Sequence, residues 1–264
     1  MVVYQILKWL NSKLLYQPIK TDRKVNHKVL AEHFEQSGVN VTSKDYYLKT
    51  ADGHKIHCVL LTNNLKNNHV FLYSHGNAGN IDGRLICNLV LTMLNYGSVL
   101  LYDYRGFGRS SGTVTEKGLH YDIETMWNFL LEKYNPENII LYGESMGCTA
   151  SFWLGSHLVQ SGRGLPKGII AQSGFSDIRK IADKIIPYSR YLILGNFNNV
   201  QYVNTIAQSI PMYVLHSKDD EVIDIDHAYD LANTMNCTFC EITGRHSSPQ
   251  FNKEVYGIFK TLTS

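Results

Sequence analysis

The stretch that most restricts the fold of this chain is Ile139 to Gly147, reading Ile-Ile-Leu-Tyr-Gly-Glu-Ser-Met-Gly. An apolar run ends at Tyr142, a Gly-x-Ser-x-Gly turn follows, and the small residues Cys148-Thr149-Ala150-Ser151 continue in a helix-compatible pattern. A buried strand, a sharp turn carrying a serine and a helix leaving it form the context of a nucleophile elbow. The glycines at 143 and 147 supply room, because a side chain two residues to either side of Ser145 would meet the neighbouring strand and helix. Ordinary strand–helix turns carry the same spacing, so the reading depends on what the rest of the chain supplies.

A chain of 264 residues with 44% hydrophobic content can bury the core of one large α/β domain. Its formal net charge of +2 gives no electrostatic reason to expect nucleic acid as a partner. The cysteines Cys58, Cys87, Cys148, Cys237 and Cys240 are odd in number and sit mostly in apolar patterns, as free thiols of a reducing compartment do. Cys237-Thr-Phe-Cys240 lacks a second ligand pair, so neither a metal nor an organic cofactor is expected. No run approaches the roughly 20 apolar residues of a membrane span. Residues 2 to 15 are interrupted by Gln5, Lys8, Asn11 and Lys13 with no cleavage site after them, so a cytoplasmic location is expected and the sequons at Asn40 and Asn236 are read as unused.

Along the chain, residues 1 to 18 form a first unit whose residues 1 to 16 read as an amphipathic helix, with Val3, Leu7, Leu10 and Leu14 on one face. Trp9 and the following Lys20, Arg23, Lys24 and Lys28 fit an in-plane contact with an anionic membrane; they fit equally a helix packed on the body. Residues 19 to 264 form the main domain. Lys44–Thr50 and His54–Thr62 flank a glycine turn as a hairpin, with His54 and His57 in structural roles. Strands are expected at His69–Tyr73, Gly97–Asp103, Asn138–Tyr142, Gly168–Gln172, Pro211–His216 and Cys237–Ile242, and helices over about 81–95, 115–134, 226–235 and 250–262. This alternation predicts an α/β fold with a mostly parallel central sheet covered on both faces. Residues 176 to 210 break the rhythm and read as a small cap inserted over the strands' C-terminal edge, in which Tyr188, Tyr191, Leu192, Leu194 and Phe197 are candidates for an acyl groove.

In an elbow architecture an acid and then a histidine follow the serine, each just beyond a later strand. Asp219, Asp220 and Glu221 follow one such strand, and Asp177 follows an earlier one. His246 follows the last strand, whereas His227 falls inside a helical pattern and reads as a surface residue. A serine hydroxyl needs a base, and imidazole is best poised for that near neutral pH. Backbone N–H groups of Met146 and of Asn77, in the small-residue loop after His75, are the expected oxyanion donors. Asp103 reads as an anchor for the Arg105–Gly112 turn.

His75-Gly-Asn-Ala-Gly-Asn80, Asp103-Tyr-Arg-Gly-Phe-Gly-Arg-Ser-Ser-Gly112, Tyr142-Gly-Glu-Ser-Met-Gly147 and Asp220-Glu-Val222, in this order, resemble the α/β-hydrolase superfamily. Within it they resemble short-cap serine hydrolases, including the bud-emergence-type hydrolases and protein depalmitoylases. The resemblance runs from about Leu14 to the C-terminus. It implies a triad of Ser145, Asp220 and His246 and the hydrolysis of esters or thioesters. A small-molecule or acylated substrate (lipid or protein) and a monomeric chain are expected. Glu144 departs from it, standing where these relatives usually carry glutamine and adding a negative charge beside the serine. No cysteine precedes Cys58, so any membrane attachment is expected to be non-covalent. A peptidase would use the same residues. A non-catalytic module of this fold is the other reading, although a binder has no use for a strained serine aimed at a histidine.

Overall fold

The computed structural model describes residues 15–64, 68–185, 188–192, 197–206, 208–233 and 237–264. The predicted helix over residues 1 to 16 lies, but for its last two residues, outside the described residues.

In chain order the elements are β1 (Gln17–Pro18), α1 (His27–Gln36), β2 (Val41–Lys49), β3 (Lys55–Asn63), β4 (Val70–Ser74), β5 (Ala78–Gly79), α2 (Asn88–Leu94), β6 (Ser98–Tyr102) and α3 (Glu116–Leu131). There follow β7 (Ile139–Glu144), α4 (Gly147–Ser161), β8 (Gly168–Gln172), α5 (Ile178–Ile185), α6 (Asn199–Ile206), β9 (Met212–Ser217), α7 (Ile225–Asn233), β10 (Thr238–Arg245), β11 (Ser248–Gln250) and α8 (Lys253–Leu262). One nine-stranded sheet runs β11-β10-β9-β8-β7-β4-β6-β3-β2. Every pair from β6 through β4, β7, β8 and β9 to β10 is parallel, and the two outer ends are antiparallel.

The physical basis is visible strand by strand. In β4, Val-Phe-Leu-Tyr-Ser is buried throughout, as a parallel strand covered on both faces must be. Alternate residues feed opposite cores. Leu72, Leu100, Ile139 and Leu141 join α3, α4 and α6 on one face. Phe71, Tyr73, Val99, Leu101, Ile140 and Tyr142 join α1, α2 and α8 on the other. The outermost β2 instead alternates toward solvent. Helix starts carry the expected side-chain caps: Thr115 accepts from the amide of Gly118 on α3, and Asn252 from those of Glu254 and Val255 on α8.

Two sequence expectations are corrected. The continuous helix over 81–95 is a 3-10 turn at Ile81–Gly83 followed by the short α2. Side chains cap the start of the 3-10 turn, Asp103 accepting from Ile81 N–H and Asn80 from Asp82 N–H, while Gly83, a poor helix former, weakens its continuation. In the 176–210 insertion, α6 is a layer helix rather than part of a lid. It packs on α4, where a Cβ on Gly155 would lie 3.2 Å from Ile206 Cδ1.

Candidate active site

Ser145 stands between β7 and α4 at φ 54°, a left-handed conformation that costs a serine roughly 1–3 kcal/mol. Its neighbours hold it there. Ser145 N–H donates to Gln172 O at 2.8 Å, and its carbonyl accepts from Cys148 N at 3.0 Å. A Cβ on Gly143 would lie 2.5 Å from Cys148 Cα, and one on Gly147 would lie 1.9 Å from Ser74 O. Both glycines are therefore demanded by close approach.

His246 follows β10. Its Nε2 lies 3.1 Å from Ser145 Oγ and its Nδ1 lies 2.7 Å from Asp220 Oδ2. With the proton on Nδ1, the hydroxyl donates to Nε2 and Nδ1–H donates to the carboxylate. Asp220 Oδ1 accepts from the amides of Val222 at 2.9 Å and Ile223 at 2.8 Å, so the acid is fixed by its own loop. The neighbouring candidates go elsewhere. Asp219 is exposed, and Asp177 accepts from Arg179 N–H at the start of the insertion. Glu221 supports the base from outside, its carboxylate accepting from His246 N–H at 3.1 Å.

The loop after β4 lies alongside. Among the described residues neither Met146 N–H nor Asn77 N–H donates to a protein acceptor. The loop's outer side is strapped by the chain's first described residues: Gln17 N–H donates to Asn77 O at 2.9 Å, Ile19 N–H to Gly79 O at 3.0 Å, and Asn77 Nδ2 to Leu15 O at 3.3 Å. Asp103 is an anchor, as its place at a strand end suggested. It accepts from Ile81 N–H at 2.9 Å, and its carbonyl accepts from Ser110 Oγ at 2.6 Å.

The three cap aromatics expected to share a groove are dispersed. Tyr188 and Tyr191 are each 79% exposed, whereas Phe197 is buried in the core with its ring centroid 6.3 Å from that of Tyr16. Phe197 therefore packs rather than lines a groove; Leu194 lies outside the described residues. His227, expected on the surface, is buried instead. Its Nδ1 accepts from Ser176 N–H at 3.2 Å, because the base of the insertion folds over α7.

The profile of the alpha/beta hydrolase fold family matches residues 70–165, the span from β4 through the elbow helix. A protein of Acanthamoeba polyphaga mimivirus is 30% identical over 261 residues, covering 91% of this chain and 87% of its own. The chain belongs to the α/β-hydrolase superfamily. The human Alpha/beta hydrolase domain-containing protein 17B is 29% identical, covering 70% of this hydrolase-fold chain and 62% of its own length. The Escherichia coli protein YfhR is 32% identical over 61% of this chain and 55% of its own. This α/β-hydrolase chain thus spans somewhat over half the length of both. Its fold is also that of an α/β hydrolase from Vibrio vulnificus (TM-score 0.72, 20% identity, 97% of this chain and 91% of that one) and an esterase of Pyrococcus furiosus (TM-score 0.69, 17% identity, 94% and 97%).

In this α/β-hydrolase site the electrostatics favour an ionised acid and a basic imidazole. Burial raises the Asp220 carboxyl, but the His246 hydrogen bond and the loop amides outweigh it and hold it below the ordinary range. Burial likewise lowers His246, yet the Asp220 carboxylate, then Glu144 and Glu221, bring it above the ordinary histidine value. His75 is pushed down to about 3, by burial first and then by Arg84, and so stays neutral. Sequence reasoning missed one group, the Arg84–Glu144–Tyr73 cluster beside the loop after β4. The charge at position 144 was legible as a departure, but nothing local named its partners.

Proposed function

We propose that this chain is a serine hydrolase that cleaves carboxylic esters or thioesters through a covalent acyl-enzyme. The observation that carries the reading is the continuous hydrogen-bonded chain Ser145 Oγ to His246 Nε2, 3.1 Å, and His246 Nδ1 to Asp220 Oδ2, 2.7 Å. In this reading Ser145 Oγ attacks the acyl carbon while its proton passes to His246 Nε2. The oxyanion is received by Met146 N–H, at the positive end of α4, and by Asn77 N–H. His246 then protonates the departing alkoxide or thiolate as the C–O or C–S bond breaks. A water, deprotonated by the same nitrogen, releases the acid and restores Ser145. Asp220 holds the tautomer and stabilises the imidazolium.

The printed names of an esterase and of alpha/beta hydrolase domain-containing proteins among the similar chains support hydrolysis as the reaction class. Acylated lipids or proteins are the substrate class that the short-cap resemblance supports. No helix among the described residues is long and apolar enough to cross a membrane.

The test is intact mass after incubation with a small fluorophosphonate. One adduct on the wild type and none on Ser145→Ala is the expected result. No adduct on folded wild type would overturn the reading in favour of a non-catalytic module.

A further inference from the structure

A carboxylate next to a nucleophilic serine opposes the reaction unless it is neutralised, since negative charge develops at the same place. Glu144 is such a group: it precedes Ser145, and its side chain is only 21% exposed. Tyr73 donates its hydroxyl to Glu144 Oε2, and Arg84 Nε approaches the same oxygen at 3.4 Å. The opposite end of the guanidinium reaches the loop that bears Asn77, Nη1 donating to Ala78 O at 3.2 Å and to Asn80 O at 3.3 Å. Gly76 lies between the two. A Cβ there would stand 3.5 Å from Glu144 Oε1 and 3.6 Å from both Arg84 Nη2 and Ser145 Cβ.

We propose that Glu144 and Arg84 are a positioning pair that sets the oxyanion loop against the nucleophile turn. One guanidinium grips a carboxylate fixed to the end of β7 and two carbonyls of the loop, so the gap that must accept the oxyanion has a rigid brace across it. The break in the 81–95 helix acquires a purpose, since it is what turns Arg84 inward. This rests on the serine-hydrolase reading above.

The charge acts on the base as well. Burial raises the Glu144 carboxyl, but Arg84 and the Tyr73 hydroxyl overcome it and keep it ionised, and that anion adds to the basicity of His246. The groups facing Glu144 are Tyr73, His75, Arg84, Cys87, Tyr142, Cys148 and His246. Burial raises the thiols and phenols and drives His75 down to about 3. His246 is the imidazole among them that neighbouring carboxylates hold above the ordinary histidine value.

The experiment compares wild type, Glu144→Gln and the double variant Glu144→Gln/Arg84→Met, which leaves no unpaired charge and guards against misfolding. Fluorophosphonate labelling of the wild type comes first; its absence would sink the hydrolase reading itself. With labelling present, Glu144→Gln should lower kcat roughly 10- to 100-fold, the cost of a slightly misplaced catalytic group, with KM little changed. The acid limb of its pH–rate profile should move to lower pH. The double variant should remain as slow. Wild-type kcat and an unmoved acid limb in Glu144→Gln would overturn the proposal, as would recovery of wild-type kcat in the double variant, because charge balance alone would then explain the pair.

Discussion

Asp220 gives the imidazole one oxygen and keeps the other for its own loop, through the amides of Val222 and Ile223. Removing its charge therefore changes the base while leaving the loop's hydrogen bonds largely in place. Asp220→Asn should lower kcat by about 10⁴-fold, since an amide favours the wrong imidazole tautomer; Asp219→Asn, at an exposed position, should leave kcat near wild type. Steady-state kinetics on a short-chain ester would decide. The pH dependence has a definite sign. The Asp220, Glu144 and Glu221 charges raise His246, so the inactive imidazolium persists to higher pH than in a free histidine. The log of kcat/KM should rise with pH through an apparent pKa above ~6.5, and a midpoint below that value would contradict the role of these charges. Ser145 and His246 were legible because each sits in local chemistry, a glycine turn or a strand end. Arg84 was not legible, because its meaning depends on a carboxylate from a distant strand and on a helix that fails to form.

The β7–turn–α4 element depends on backbone closeness rather than on side-chain identity. Gly147→Ala would place a methyl 1.9 Å from Ser74 O. The helix start must then move off β4, carrying Met146 N–H with it. Thermal melting should show a loss of about 1–3 kcal/mol, as overpacking typically costs, and phosphonate labelling should slow even though Ser145 is intact. Unchanged melting and labelling would mean that the turn tolerates a shift the geometry forbids. Strand placement was readable because β4, β6, β7 and β8 each carry a run of consecutive apolar residues with polar ones only at their ends, a pattern that a sheet covered on both faces sustains. The helices were harder. The 81–95 pattern has the right apolar spacing, but Gly83 lowers its helix propensity and the chain forms a 3-10 turn and a separate short helix instead. His227 has a polar name and a helical position, and tertiary packing against Ser176 decides its burial.

At the scale of the whole molecule, the two ends of the site come from opposite ends of the chain. Asp220 and His246 follow β9 and β10, while the loop after β4 is held from outside by Leu15, Gln17 and Ile19. Tyr16 extends the same strap to Phe197 at the insertion. Removing residues 1 to 14 should leave kcat on a water-soluble short ester unchanged. Removing residues 1 to 19 should lower it about tenfold or more, the scale of a misplaced donor. Equal activity of the two truncated forms, both shown folded by melting, would exclude the strap from the reaction.

That strap ties the backbone of Leu15, Gln17 and Ile19 to the loop after β4 as a short mechanical link. A load reaching the chain at Leu15 or Gln17 therefore passes through two hydrogen bonds directly to Asn77, which lies two residues from His75 in the loop after β4.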